Sequence, residues 1–148
     1  MKVTKTVLQR VTSASVTIGG NCVGSIGKGY LILLGLGAGD SESDAVNMIE
    51  KIYKLRIFPD SNGKSNLSIK EVNGEVLIIS QFTLYADCKK GNRPSFTGAC
   101  PPEDAERLYE CFIKLAEKTF VKVSYGKFGA DMKVALVNDG PYTIVLES

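Results

Sequence analysis

Helical periodicity occurs in only two stretches of this chain, and the rest alternates or runs apolar between glycine turns. Ala45, Met48, Ile49, Ile52 and Tyr53 recur at i, i+3, i+4, i+7 and i+8, the stripe of an amphipathic helix of about three to four turns. Asp40-Ser41-Glu42-Ser43-Asp44 precedes it with N-cap residues and acids suited to a positive helix terminus, and Pro59 and Asn62-Gly63 are its expected stop. Pro101-Pro102-Glu103-Asp104 opens the second helix, with Ala105, Leu108, Tyr109, Phe112 and Leu115 as its apolar face. The first forty residues read as a meander: an alternating strand, a hairpin at Gly19-Gly20-Asn21, a short return strand over 22–26, and a second turn at Gly27-Lys28-Gly29. Residues 30–36 predict a strand buried on both faces, with Gly35 marking a bulge or a close backbone approach. Further strands are expected over 65–70, 75–81, 121–124, 132–137 and 142–146. No repeat, low-complexity tract or linker divides the chain. The expected architecture is one α+β domain over 1–148, a curved, largely antiparallel, barrel-like sheet covered by two main helices.

Composition narrows the chemistry. The 148 residues include no histidine, which removes Ser-His-Asp and Cys-His triads, histidine zinc sites and imidazole proton shuttles. Cys22, Cys88, Cys100 and Cys111 contain no C-x-x-C pair, so a four-thiolate zinc site is not expected. No metal or cofactor is called for. The residues from Met1 to Lys5 do not begin a signal peptide, and the longest apolar run, 30–36, is far short of the roughly 20 residues a bilayer needs. These features predict a cytoplasmic protein whose cysteines are buried small hydrophobes. A net charge of +2 argues against a strongly basic nucleic-acid coat and leaves room for a local basic patch.

Three places break the local pattern. At Ser80-Gln81-Phe82-Thr83 polar residues end an apolar strand, either as a simple strand end or as a ledge of hydroxyls and free N–H groups facing a ligand. Asn138-Asp139-Gly140-Pro141 reads as a hairpin turn, with a Gly-Pro bond at which a cis peptide lies only about 0.5–1 kcal/mol above trans. Lys89, Lys90 and Arg93 cluster in the long irregular stretch 83–101, near Tyr85 and Phe96. They form either a solvated face or a seat for RNA phosphates beside a stacking surface. Phe128 and Met132 are equally consistent with core.

Two of these motifs are specific. Ser80-Gln81-Phe82-Thr83-Leu84, with Asp87 and Arg93-Pro94-Ser95-Phe96, and the run Val137-Asn138-Asp139-Gly140-Pro141-Tyr142-Thr143, together with 126–132, resemble the D-aminoacyl-tRNA deacylases of the bacterial and eukaryotic type over essentially the whole chain. Tyr142 departs from the valine common in that family. The resemblance implies a homodimer with its active site at the interface, acting on the aminoacylated 3′ end of tRNA. Gly140-Pro141 would form a cis peptide entering the partner's pocket, where its carbonyls reject L-aminoacyl groups, and Arg10 would help hold that turn. Ser80, Gln81 and Phe82 would line the ester pocket. Phe128 and Met132 would border the terminal adenosine. The implied reaction is hydrolysis of the ester to a D-amino acid or glycine, including glycyl-tRNA mischarged on tRNA(Ala). Backbone N–H groups around Gln81-Phe82 could supply an oxyanion hole and the RNA 2′-hydroxyl could assist the water. Thr83 is the nucleophile by position but has no base type in its motif and is read as structural. Lys89, Lys90 and Arg93 would meet phosphates. Two other classes stand beside this one: a non-catalytic dimeric module binding tRNA or a small ligand, and a thiol enzyme using Cys88 or Cys100 activated by Lys89 and Lys90.

Overall fold

The computed structural model describes residues 4–148. Met1, Lys2 and Val3, on which the signal-peptide expectation partly rests, lie outside the described residues. Strand β1 (Lys5–Ile18) turns at Gly19-Gly20 into β2 (Asn21–Ile26), which leads to β3 (Gly29–Gly35). The register runs unbroken from Lys5↔Gly35 through Ala14↔Ile26, so β2 and β3 are two halves of one return strand. The expected second turn at Gly27-Lys28-Gly29 is therefore no reversal. Gly29 instead admits strand β6 (Glu75–Ser80), since a Cβ on it would fall 1.7 Å from the Glu75 carbonyl oxygen.

Helix α1 (Glu42–Lys54) starts after Ser41, whose N–H donates to the Asp44 carboxylate at 2.7 Å. It ends before the expected stop, because Leu55 turns extended and Phe58–Pro59 forms a short strand β4. β4 pairs with β5 (Ser65–Leu67), which is shorter than the sequence pattern indicated. After β6 come helix α2 (Pro102–Thr119), β7 (Val123–Tyr125) and β8 (Lys133–Glu147). The main sheet runs β2-β1-β3-β6-β7, with β8 along the other edge of β1. It is mixed: β1 pairs antiparallel with β2, β3 and β8, while β3–β6 and β6–β7 are parallel. The Ser124 hydroxyl donates to the Ser25 carbonyl at 3.2 Å, bringing β7 against β2 and curling the sheet into a nearly closed barrel.

Alternation along β3 divides the core. Tyr30, Ile32 and Leu34 face α1 and α2, meeting Ile52, Phe58, Leu108 and Phe112. Leu31 joins Val11, Val16, Leu77 and Ile79 in a second cluster on the concave side. Both faces are covered, which is why 30–36 reads as a continuous apolar run. Each large side chain fully buried here contributes about 1.5–3 kcal/mol. Gly35 is the close approach expected of it, because a Cβ there would meet Leu84 and Tyr85 at 3.1–3.2 Å.

Strand β8 overturns the hairpin expectation for Asn138–Pro141. It is one 15-residue strand antiparallel to β1, spanning both predicted halves. Between Gln9↔Thr143 and Val11↔Asn138 lies one residue of β1, Arg10, against four of β8, Asp139 to Tyr142. The four extra-ladder residues bulge outward, and the Gly140-Pro141 peptide within them is cis.

Candidate active site

Three elements enclose a cavity of about 750 Å³. The end of β6 and the turn after it supply Ile79, Ser80, Gln81 and Phe82. The start of α2 and the loop before it supply Phe96, Cys100, Pro101 and Ala105. The segment between β7 and β8 supplies Phe128, Asp131 and Met132. Ser80, Gln81, Phe82, Phe128 and Met132, five of the candidates from sequence, thus line one cavity. The parallel pairing of β6 with β7 brings the 126–132 segment to the end of β6. Gly126 at this junction leaves room for the Met132 thioether, which would have to shift for a Cβ placed there. Phe82, 56% exposed, meets Phe96 edge to face with ring centroids 5.0 Å apart.

Gln81 is the last residue tied to the sheet. Its N–H donates to the Leu34 carbonyl at 2.7 Å and is thereby lost as an oxyanion donor, correcting one part of the expectation. The chain then enters a 3-10 turn, Phe82–Tyr85. Its opening N–H groups, those of Phe82 and Thr83, have no acceptor within the turn. The exposed Thr83 hydroxyl accepts a hydrogen bond from the Gln81 side-chain amide. No hydrogen bond joins the Ser80 or Thr83 hydroxyl to an acid or a lysine among the described residues.

The remaining candidates lie outside this cavity. Lys89, Lys90 and Arg93 are exposed on a loop pinched by reciprocal backbone bonds between Asp87 and Ser95 at 2.7 and 3.0 Å. The loop leads directly into Phe96 at the cavity wall. Gly140 and Pro141 are exposed on the β8 bulge. Arg10, 9% exposed, lies behind them: its Nε donates to the Asp139 carbonyl at 3.1 Å and its Nη1 to the Ile57 carbonyl at 2.6 Å. Asn138 braces the same bulge, donating from Nδ2 to the Arg10 and Tyr142 carbonyls at 2.8 and 3.0 Å.

The cysteines divide. Cys22 and Cys88 are exposed, contrary to the expectation that all four are buried, because they sit on the outer return strand and the basic loop. Cys100 lines the cavity, but burial first, and then the charges of Asp104 and Asp40, push its thiol pKa upward. That is the reverse of what a thiolate nucleophile needs. Sequence reasoning missed the contribution of Pro101 and Ala105, which look like an ordinary helix start and core stripe.

A mixed, nearly closed barrel with a strand-end cavity at β6 and a braced glycine-proline bulge on β8 defines a particular class. The D-Tyr-tRNA(Tyr) deacylase family pattern matches residues 7–147. The chain is 54% identical over 144 residues to a D-aminoacyl-tRNA deacylase of Desulfatibacillum aliphaticivorans, covering 97% of this chain and 99% of the relative. It is 51% identical over 145 residues to that of Thermosipho melanesiensis, covering 97% of each. A solved structure named c-Myc DNA Unwinding Element Binding Protein superposes with TM-score 0.92 at 45% identity, covering 97% of this chain and 98% of that one. Another, described as a probable eukaryotic D-amino acid tRNA deacylase, superposes at 0.87 with 14% identity over 99% and 100%, a likeness of fold. The chain belongs to the D-Tyr-tRNA(Tyr) deacylase family, a family of hydrolytic enzymes.

Proposed function

We propose that this chain hydrolyses the ester joining a D-amino acid, or glycine, to the 3′ end of tRNA, including glycyl-tRNA mischarged on tRNA(Ala), and that it spares L-aminoacyl esters. The observation carrying this reading is the union of Ser80, Gln81, Phe82, Phe128 and Met132 around one cavity whose lining among the described residues holds no acid-base pair. An activated ester asks for little more than positioning and a place for the developing oxyanion. Water adds to the carbonyl carbon while its proton passes toward the RNA 2′-hydroxyl. The oxyanion accepts from the Phe82 and Thr83 N–H groups, each such donor contributing about 2.7–4 kcal/mol. Collapse breaks the C–O bond, and the 3′-oxygen leaves with a proton as the free acid forms. Phe128 and Met132 flank the terminal adenine, and the Lys89-Lys90-Arg93 loop takes phosphates.

The protein acts as a homodimer in this reading. β8 has no strand on its outer edge among the described residues, and its Val137 and Val145 are 56% and 64% exposed. A second copy would cover them and carry the Gly140-Pro141 bulge into the opposite cavity. The bulge's fixed carbonyls then obstruct an L side chain, whereas glycine meets no obstruction. No described helix is long and apolar enough to cross a membrane, and the substrate puts the enzyme in the cytoplasm. Ester loss from D-tyrosyl-tRNA and L-tyrosyl-tRNA tests the reading. Rapid loss of the D form alone is expected; equal rates, or tRNA binding with an unchanged ester lifetime, would overturn it.

A further inference from the structure

The Tyr142 ring lies beneath the Arg10 guanidinium, with Cζ 4.6 Å from the ring centroid. We propose that Tyr142, through this stack, is a positioning residue for stereochemical selectivity. The inference rests on the selectivity reading above and concerns how the selecting backbone is held.

Arg10 is the single β1 residue behind the four-residue bulge, so its side chain is the main support reaching the bulge from below. One edge of the guanidinium is anchored away from the bulge, on the Ile57 carbonyl. The other reaches the Asp139 carbonyl, with the Asp139 carboxylate 3.7 Å from Nε. Nη2 stands 3.1 Å from where a Gly140 Cβ would project, so the guanidinium borders the peptide joining Asp139 to Gly140. Two hydrogen bonds fix where the fork sits, but they leave it free to rock about the line between them. A ring face against its plane removes that freedom.

Tyr142 is suited to this task because it is itself held. Its N–H donates to Asn138 Oδ1 at 3.2 Å, and its side chain packs against the main core cluster. The stack therefore connects the bulge to the packed interior. An aliphatic side chain at 142 could fill space beside Arg10 but could not attract its charge. Loss of the ring should loosen the Asp139 and Gly140 carbonyls and leave the β6 cavity intact, since Tyr142 does not line it.

The test compares Tyr142→Leu and Tyr142→Phe with the parent on D-tyrosyl-tRNA and L-tyrosyl-tRNA. Tyr142→Leu should keep the D rate within about threefold and raise the L rate at least tenfold. Tyr142→Phe, which keeps the ring, should match the parent on both. Tyr142→Met, unbranched and adaptable in cores, is made in parallel and should behave as Tyr142→Leu does, so that a folding failure of one variant still leaves a ringless protein to measure. A ringless variant with the parent's L-to-D ratio overturns the inference while leaving the selectivity reading standing. A parent that hydrolyses both substrates equally overturns that reading and this inference with it.

Discussion

The hydroxyl of Tyr109 donates to the carbonyl of Gly126 at 2.8 Å, from inside the core and across to the segment after β7 that lines the cavity. Its ring also lies 6.0 Å from that of Phe128. Burial raises the phenol's pKa well above its ordinary value, so the group remains a neutral donor at any working pH. Tyr109→Phe leaves the Gly126 carbonyl without this partner, a loss of about 1–3 kcal/mol. At this chain length that lowers Tm by roughly 2–4 °C per kcal/mol, measurable by thermal melting. We expect KM for the aminoacyl-tRNA to rise more than kcat falls, because the ring contact with Phe128 stays while Gly126, at the head of the segment that carries Phe128, loses its tether.

Gly29→Ala addresses the fold itself. The new methyl would overlap the Glu75 backbone, and neither paired strand can yield. The cost should exceed the about 1–3 kcal/mol of ordinary overpacking. Soluble yield and denaturant midpoint report it; a parent-like midpoint would show that β3 and β6 can separate.

Replacing Lys89, Lys90 and Arg93 together by alanine should weaken tRNA binding. The slope of log K against log salt should shrink by up to about 0.7 for each phosphate that the loop no longer neutralises on single-stranded RNA. An unchanged slope in a filter-binding titration would remove this loop from the RNA path.

Thr83→Ala should keep kcat within about tenfold, since the hydroxyl only receives the Gln81 amide. Cys100→Ala should likewise retain activity in whatever fraction folds. A loss near a thousandfold in either variant, with the melt unchanged, would reinstate a side-chain nucleophile.

The turn after β4 carries an acid-sensitive element. The Asp60 carboxylate accepts from the Lys64 and Asn62 N–H groups at 3.0 and 2.8 Å, and those bonds hold its pKa below the ordinary 3.8. A depressed carboxylate stabilises the folded state above its unfolded pKa and loses that contribution as pH falls through the folded one. The Tm difference between the parent and Asp60→Ala should therefore be steady at neutral pH and shrink only below about pH 4.

Periodicity revealed both helices and the doubly buried strand because each is a local pattern. The stop of α1 lies earlier than Pro59 because Leu55 is already extended, and Pro59 belongs instead to a short strand paired with Ser65. Gly29 looked like a turn residue because a glycine that admits a neighbouring strand and one that reverses the chain are the same letter. Asn138–Pro141 misled for the same reason: a bulge opposite one arginine and a hairpin both require turn-forming residues. At the site, the motif residues were identifiable from the family resemblance. The loss of the Gln81 N–H to Leu34 depends on the extent of a parallel pairing, which no motif encodes.

The bond from the Ser124 hydroxyl to the Ser25 carbonyl gives the molecule a zipper with one tooth among the described residues. A cylinder fastened so lightly on one side opens there before its ladders melt. Amide protons of 21–26 and 123–125 that face the seam rather than the β1 and β6 ladders should exchange early, well ahead of those in the middle of β3. The same seam would let the barrel flex beside Gly126 and the cavity floor without any helix having to move.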